Sequence, residues 1–166
     1  MHEPLLTKTL TDLRVQILGW GIGMGLLLLL TVLLYPSIGS TYSDLVNQLP
    51  EHFLAFFGAE FSLDTLEGYL NAEFFTYAPI ALAVFAILAG TGSIVGEENQ
   101  GTLDILLAQP VSRLKLIATK MVGLALANGM VVAILLAMFW VTVPFLDLEV
   151  RAGRIMGAFA LLWPFL

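Results

Sequence analysis

One long uncharged run limits what this chain can fold into. Residues 15–35 are 21 consecutive residues without a charged side chain. A helix of this length is about 31 Å long, which matches the hydrocarbon core of a bilayer. Apolar runs also occupy residues 74–95 and 116–146, the second interrupted by Lys120, and a shorter run covers 153–166. The pattern predicts three full membrane spans and the start of a fourth.

The composition supports a membrane protein. Hydrophobic residues make up 58% of the chain and charged residues 12%, with a mean hydropathy of +0.90. Soluble domains usually contain about 25% charged residues. The formal net charge of −6 and the absence of a basic patch argue against nucleic acid as a partner. Because the chain has no cysteine, disulfides and thiolate metal sites are excluded. We expect an all-α integral membrane protein, a polytopic helical bundle that forms a single domain over residues 1–166.

The charges of the connecting segments predict an orientation. Residues 36–73 contain six acidic side chains and neither lysine nor arginine. Since cytoplasmic loops are enriched in basic residues, this segment is expected outside and the N-terminus inside. Residues 3–14 are mildly amphipathic and are expected to form a separate helix in the membrane interface. This orientation puts Arg151 and Arg154 outside, although basic residues are expected on the cytoplasmic side. The side of the membrane on which the 147–154 loop lies is therefore undecided.

Small and polar residues inside the spans have structural interpretations. Four alternating glycines in the first span do not form a phosphate-binding loop, because no strand precedes them and no lysine follows. They are expected to allow close helix packing through two pairs, Gly19 with Gly23 and Gly21 with Gly25. Asn128 either lines a translocation path or forms a polar contact between helices, and the polar contact is the commoner role.

The central loop between the second and third spans carries the most specific pattern. Residues 96–120 read GEENQGTLDILLAQPVSRLKLIATK. Leu103, Leu106 and Leu107 are spaced at i, i+3 and i+4, which predicts one apolar face on a short helix between Gly101 and Pro110. From periodicity alone, this face is equally suited to a groove on a partner protein and to the inner surface of the membrane.

The order of residues in this loop resembles the cytoplasmic loop of permeases of type 2 ATP-binding-cassette (ABC) exporters. The matching positions are Glu97, Glu98, Gly101, Thr102, Leu103, Leu106, Leu107, Pro110, Val111, Ser112, Arg113 and Lys120. The resemblance implies a cytoplasmic coupling helix that docks on a separate ATPase subunit. It assigns the docking to Glu97, Glu98, Gly101, Thr102, Leu103, Leu106, Leu107, Pro110 and Arg113. It also implies an N-terminal elbow helix and six spans, of which this sequence would hold the N-terminal part. Either the sequence is a fragment or a truncated reading frame, or a second chain completes the bundle.

These features predict a non-catalytic permease subunit that binds no cofactor, since the sequence contains no hydrolase motif and no lysine-bearing phosphate loop. The expected location is a prokaryotic plasma membrane. Expected partners are an ABC ATPase subunit, a second copy of the chain or a homologous permease chain, and the lipid bilayer. Two alternatives remain: a non-transporting membrane anchor or assembly factor, and a membrane enzyme that depends on Glu51 or His52. The transported substrate cannot be read from these residues.

Overall fold

The computed structural model describes residues 3–48, 65–99, 113–146 and 150–163, and these residues contain helices and turns but no strand. The α-helices are α1 (Glu3–Gln48), α2 (Leu66–Leu70), α3 (Ala78–Asn99), α4 (Arg113–Thr142) and α5 (Ala152–Leu162). A π-helical turn joins α2 to α3, and a 3-10 turn follows α4. Three segments are long and apolar enough to cross a membrane: Leu6–Ile38, Leu66–Ser93 and Ile117–Phe145. The predicted all-α polytopic class is confirmed.

The first helix is longer than the sequence suggested. α1 runs without interruption through 46 residues, about 69 Å, and continues past Pro36. Residues 3–14 therefore form the first turns of α1 instead of a separate interfacial helix. Leu13 is buried and Leu10 packs against the core, so the apolar side of this segment contacts other helices. The segment after residue 35, expected to be a loop, continues as helix to Gln48.

The second span is interrupted near its start. Between α2 and α3 the chain forms a π-helical turn, Asn71–Phe75, in which the Thr76 amide donates to the Asn71 carbonyl at 3.1 Å. The Thr76 hydroxyl donates to the same carbonyl at 2.7 Å. Pro79 is the second residue of α3, where its missing N–H costs little. The wider turn avoids the clash that Pro79 would cause in a continuous α-helix.

The core lies where α1, α3 and α4 meet, and α1 makes its most extensive contact with α4. Buried residues recur every three or four positions on each helix, as expected for one inward face. On α1 they are Leu13, Ile17, Met24, Leu28 and Val32; on α3, Ala78, Leu82, Phe85 and Ala89; on α4, Ala127, Val131, Leu135 and Phe139. The outward faces are equally apolar, with exposed side chains such as Leu18, Leu26 and Ile87. This arrangement is typical of helices surrounded by lipid.

The helical bundle has two distinct ends. At the end that we call the loop end, the start of α1, the last turns of α3 and the start of α4 lie together, as the contact of Thr9 with Gly123 and the hydrogen bond from Lys120 to Ser93 demonstrate. At the opposite end, the Tyr35 and Tyr69 rings are 5.5 Å apart and the Arg151 amide bonds to Glu67. The central loop therefore leaves the same end of the bundle at which α1 begins.

Candidate functional site

The predicted docking segment is only partly described. Gly101, Thr102, Leu103, Leu106, Leu107 and Pro110 lie outside the described residues. The backbone of Glu97 and Glu98 belongs to the last turn of α3, and Arg113 is the first residue of α4. The structure thus defines the two helices that carry the central loop.

Lys120 connects these two helices at the loop end. Its Nζ donates a hydrogen bond to the backbone carbonyl of Ser93 at 2.9 Å, across 27 residues of sequence. The Ser93 hydroxyl donates to the carbonyl of Gly90 at 2.9 Å, within α3. Both side chains are half-buried. Sequence reasoning expected Lys120 to extend to the membrane interface, whereas the structure gives its ammonium group a partner on α3.

Glycine residues bring the three helices close together at the loop end. A Cβ atom built on Gly123 would lie 2.8 Å from Cγ2 of Thr9, which is closer than real contacts of this kind. On α3, a Cβ on Gly90 would lie 3.6 Å from Cδ2 of Leu124, an ordinary van der Waals distance. A Cβ on Gly92 would lie 3.7 Å from Nε2 of Gln16 on α1. Gly90 therefore lies on the side of α3 that faces α4, and Gly92 on the side that faces α1.

The four glycines of the first span have two different environments. A Cβ atom on Gly21 would lie 2.7 Å from Cδ1 of Ile134, and one on Gly25 would overlap the sulfur of Met138. Both contacts are with α4, one helical turn apart. Among the described residues, no atom of another helix lies within 4 Å of the corresponding position at Gly19 or Gly23. The close approach of α1 to α4 therefore occurs along Gly21 and Gly25, and the other pair is on the open side of the helix.

Asn128 forms the polar contact between helices that was the commoner expectation. Its Nδ2 donates to the Trp163 carbonyl at 3.2 Å, and Nε1 of Trp163 donates to the Ala125 carbonyl at 3.0 Å. These two bonds join α4 to the end of α5. Asn128 is fully buried, and its Oδ1 has no hydrogen-bond partner among the described residues. No local pattern points to Trp163, because only tertiary structure brings the two positions together.

At the opposite end, Glu67 holds the start of α5. Its Oε1 accepts a hydrogen bond from the backbone amide of Arg151 at 2.8 Å, and Arg151 is the N-cap residue of α5. In a capping box, the side chain of the third helical residue accepts a hydrogen bond from the amide of the N-cap residue. Here that position is Arg154, and Glu67 supplies the carboxylate from another element. The start of α5 therefore belongs to the same end of the bundle as α2, and residues 147–149 of the predicted loop lie outside the described residues.

An aromatic cluster packs the middle of α5 against its neighbours. The Phe159 ring lies 5.1 Å from Phe75 at an interplanar angle of 80°, and 5.9 Å from Phe139. Phe75 belongs to the π-helical turn and Phe139 to α4. Edge-to-face pairs of this kind add about 0.5–1.5 kcal/mol beyond burial. Within the described residues, no group of three acidic or histidine side chains is arranged to hold a metal ion.

The three long apolar helices define a multi-pass α-helical membrane protein. A family model described as "ABC-2 family transporter protein" matches residues 4–166. The chain therefore belongs to the ABC-2 transporter family and is a permease component of an ABC transporter, as the central loop predicted. Comparisons with curated proteins and with solved structures gave no match.

Proposed function

We propose that this permease subunit belongs to an exporter and is driven by a separate ATPase subunit that docks on residues 96–115. The observation that carries the proposal is the family match over residues 4–166. Members of this family generally pair with an ABC ATPase. The permease needs no catalytic site of its own. It must adopt two conformations, and ATP hydrolysis on the partner drives the change between them.

The central loop is the surface proposed for docking. A short helix between Gly101 and Pro110 inserts its leucine face into a groove on the ATPase, and Glu97, Glu98 and Arg113 orient it through ion pairs at the rim. Each such exposed ion pair contributes about 0–1 kcal/mol. The leucine face therefore accounts for most of the affinity.

The distribution of basic residues supports a cytoplasmic loop end. Five of the seven lysines and arginines belong to the helix segments that start or end there: Lys8, Arg14, Arg113, Lys115 and Lys120. Basic residues concentrate on the cytoplasmic side of membrane proteins. The proposed orientation has the N-terminus and the central loop inside, in a prokaryotic plasma membrane. A second copy or a homologous permease chain completes the assembly.

Replacing Leu103, Leu106 and Leu107 together with serine tests the docking role. We expect the partner ATPase to be lost from the purified complex, because the apolar face that fills its groove is gone. The matched control replaces the same three leucines with methionine, which keeps the face apolar and should retain the ATPase. Retention by the serine variant would contradict docking through this face. It would favour the membrane-anchor alternative if the complex also showed no transport-linked ATPase stimulation.

A further inference from the structure

We propose that Lys120 is a positioning residue. Its hydrogen bond to Ser93, which we call the tie, joins α3 and α4 close to the ends between which the central loop lies. With this tie in place, a displacement of the loop moves α3 and α4 as one unit. The inference deepens the proposed function and rests on it, since it assumes that an ATPase acts on residues 96–115. It assigns to Lys120 a role in transmission that is separate from docking.

The first argument is the position of the hydrogen bond. Lys120 lies in the eighth position of α4, and Ser93 lies six residues before the end of α3 at Asn99. The 2.9 Å bond between them spans the gap between the two helices just inside the loop. A force applied to the loop reaches the bundle through these two helices, and this bond connects them at the entry point.

The second argument is the weakness of the apolar contact beside it. One turn away α3 faces α4 at Gly90 and Leu124, where even a Cβ atom added to Gly90 would only reach ordinary van der Waals distance of Cδ2 of Leu124. Apolar contacts between helices gain nothing from the hydrophobic effect when lipid is the alternative. A charge-assisted hydrogen bond is directional and about twice as strong as a neutral one. The Lys120 bond therefore contributes the specific part of the α3–α4 contact at this end.

The third argument is that the bond can break without leaving an unsatisfied group. The Ser93 carbonyl lies within α3, where the helix supplies its own donor, and a carbonyl oxygen accepts two hydrogen bonds. A released ammonium group can extend along its flexible stem to lipid headgroups or water. Lys120→Met therefore removes the bond without leaving a buried polar group unpaired, so the variant tests the tie and not a desolvation cost.

Two single-cysteine variants test this tie in the permease without the ATPase. The protein has no cysteine, so Gly90→Cys reports the α3–α4 contact and Gly92→Cys the α1–α3 contact. In Lys120→Met, we expect the maleimide labelling rate at position 90 to rise roughly tenfold, which corresponds to about 1.4 kcal/mol. The rate at position 92 should not change. Lys120→Arg keeps a donor and should give rates near those of the unsubstituted chain. Equal rates at position 90 in Lys120→Met and the parent would overturn the tie.

The same reporter in the complex with the ATPase tests transmission. With Lys120 present, a non-hydrolysable ATP analogue should leave the labelling rate at position 90 unchanged relative to the nucleotide-free complex, because α3 and α4 move together. Lys120→Met should still co-purify with the ATPase, but nucleotide should now change the rate at position 90, because the two helices move separately. A nucleotide response at position 90 with Lys120 present, or none in Lys120→Met, would overturn the transmission role. Loss of the ATPase from Lys120→Met would instead make Lys120 a docking residue and overturn the separation proposed here.

Discussion

Two neighbouring glycines of α1 differ in what they contact, although their sequence environments are alike. Gly21 faces Ile134 of α4, and Gly23 has open space beside it. We expect Gly21→Ala to destabilise the bundle by about 1–3 kcal/mol relative to Gly23→Ala, the usual cost of adding a methyl group to a filled contact. Unfolding in detergent, followed by circular dichroism, measures this difference.

The comparison controls for helix propensity. Both substitutions replace glycine by alanine inside a helix, and each gains roughly 0.8–1 kcal/mol of intrinsic propensity. The gain cancels, so the difference reports the packing against Ile134. If both variants were equally stable, α1 and α4 would not approach each other along Gly21.

The limits of sequence reasoning are clear in these glycines. Positions two apart on a helix point to opposite sides, so the pairs Gly19 with Gly23 and Gly21 with Gly25 could not both face the same neighbour. Which side faces inward depends on α4, and both sides of α1 are apolar. The uncharged runs predicted the spans because a helix that crosses the hydrocarbon core must be apolar along its length. No local pattern encodes which face of each helix turns inward, and none encodes the partners of Asn128 and Lys120. These features depend on tertiary structure.

Among the elements, α5 is the one most dependent on its neighbours. It has 11 residues, about 16 Å, roughly half the thickness of a hydrocarbon core. Glu67 binds the amide at its start, Phe159 packs at its middle and Trp163 bonds at its end. These links fix a helix that is too short to be defined by the bilayer alone.

The link at the start of α5 gives a prediction. In Glu67→Ala the Arg151 amide loses its acceptor, and a hydrogen bond to a charged group contributes about 1.5–3 kcal/mol. Glu67 is partly solvated, so we take the lower value and expect hydrogen exchange of the amides at residues 152–155 to become roughly tenfold faster. Mass spectrometry of the exchanged protein measures it. Glu67→Gln keeps a carbonyl acceptor and should preserve most of the protection; equal exchange in the parent and in Glu67→Ala would show that this bond does not hold α5.

Prolines in α1 and α3 have different effects on their helices. Pro79 is the second residue of α3 and follows the π-helical turn. Pro36 was expected to begin a loop, yet α1 continues past it. Proline removes one backbone hydrogen bond and costs about 3 kcal/mol in a helix, which packing along a long helix can offset.

The whole molecule has two chemically different ends, and the orientation of the bundle follows from which end faces the cytoplasm. Single cysteines test this in the cysteine-free chain. Lys8→Cys and Asp104→Cys mark the α1 start and the central loop at the loop end; Asp44→Cys and Gly153→Cys mark the opposite end. We expect a membrane-impermeant maleimide to label positions 44 and 153 on intact cells, and positions 8 and 104 only after permeabilisation. This outcome follows from the five basic residues at the loop end.

The labelling separates the fold from its orientation. Because the Tyr35 ring of α1 lies against Tyr69 of α2, and Glu67 of α2 bonds to the start of α5, positions 44 and 153 should share a side whichever way the bundle is inserted. Labelling of 8 and 104 from outside, with 44 and 153 protected, would keep the bundle and reverse its orientation. An ATPase in the cytoplasm would then have no access to the leucine face, and the exporter proposal would fail. Labelling of 44 and 153 from different sides would instead contradict the packing of α5 against α2.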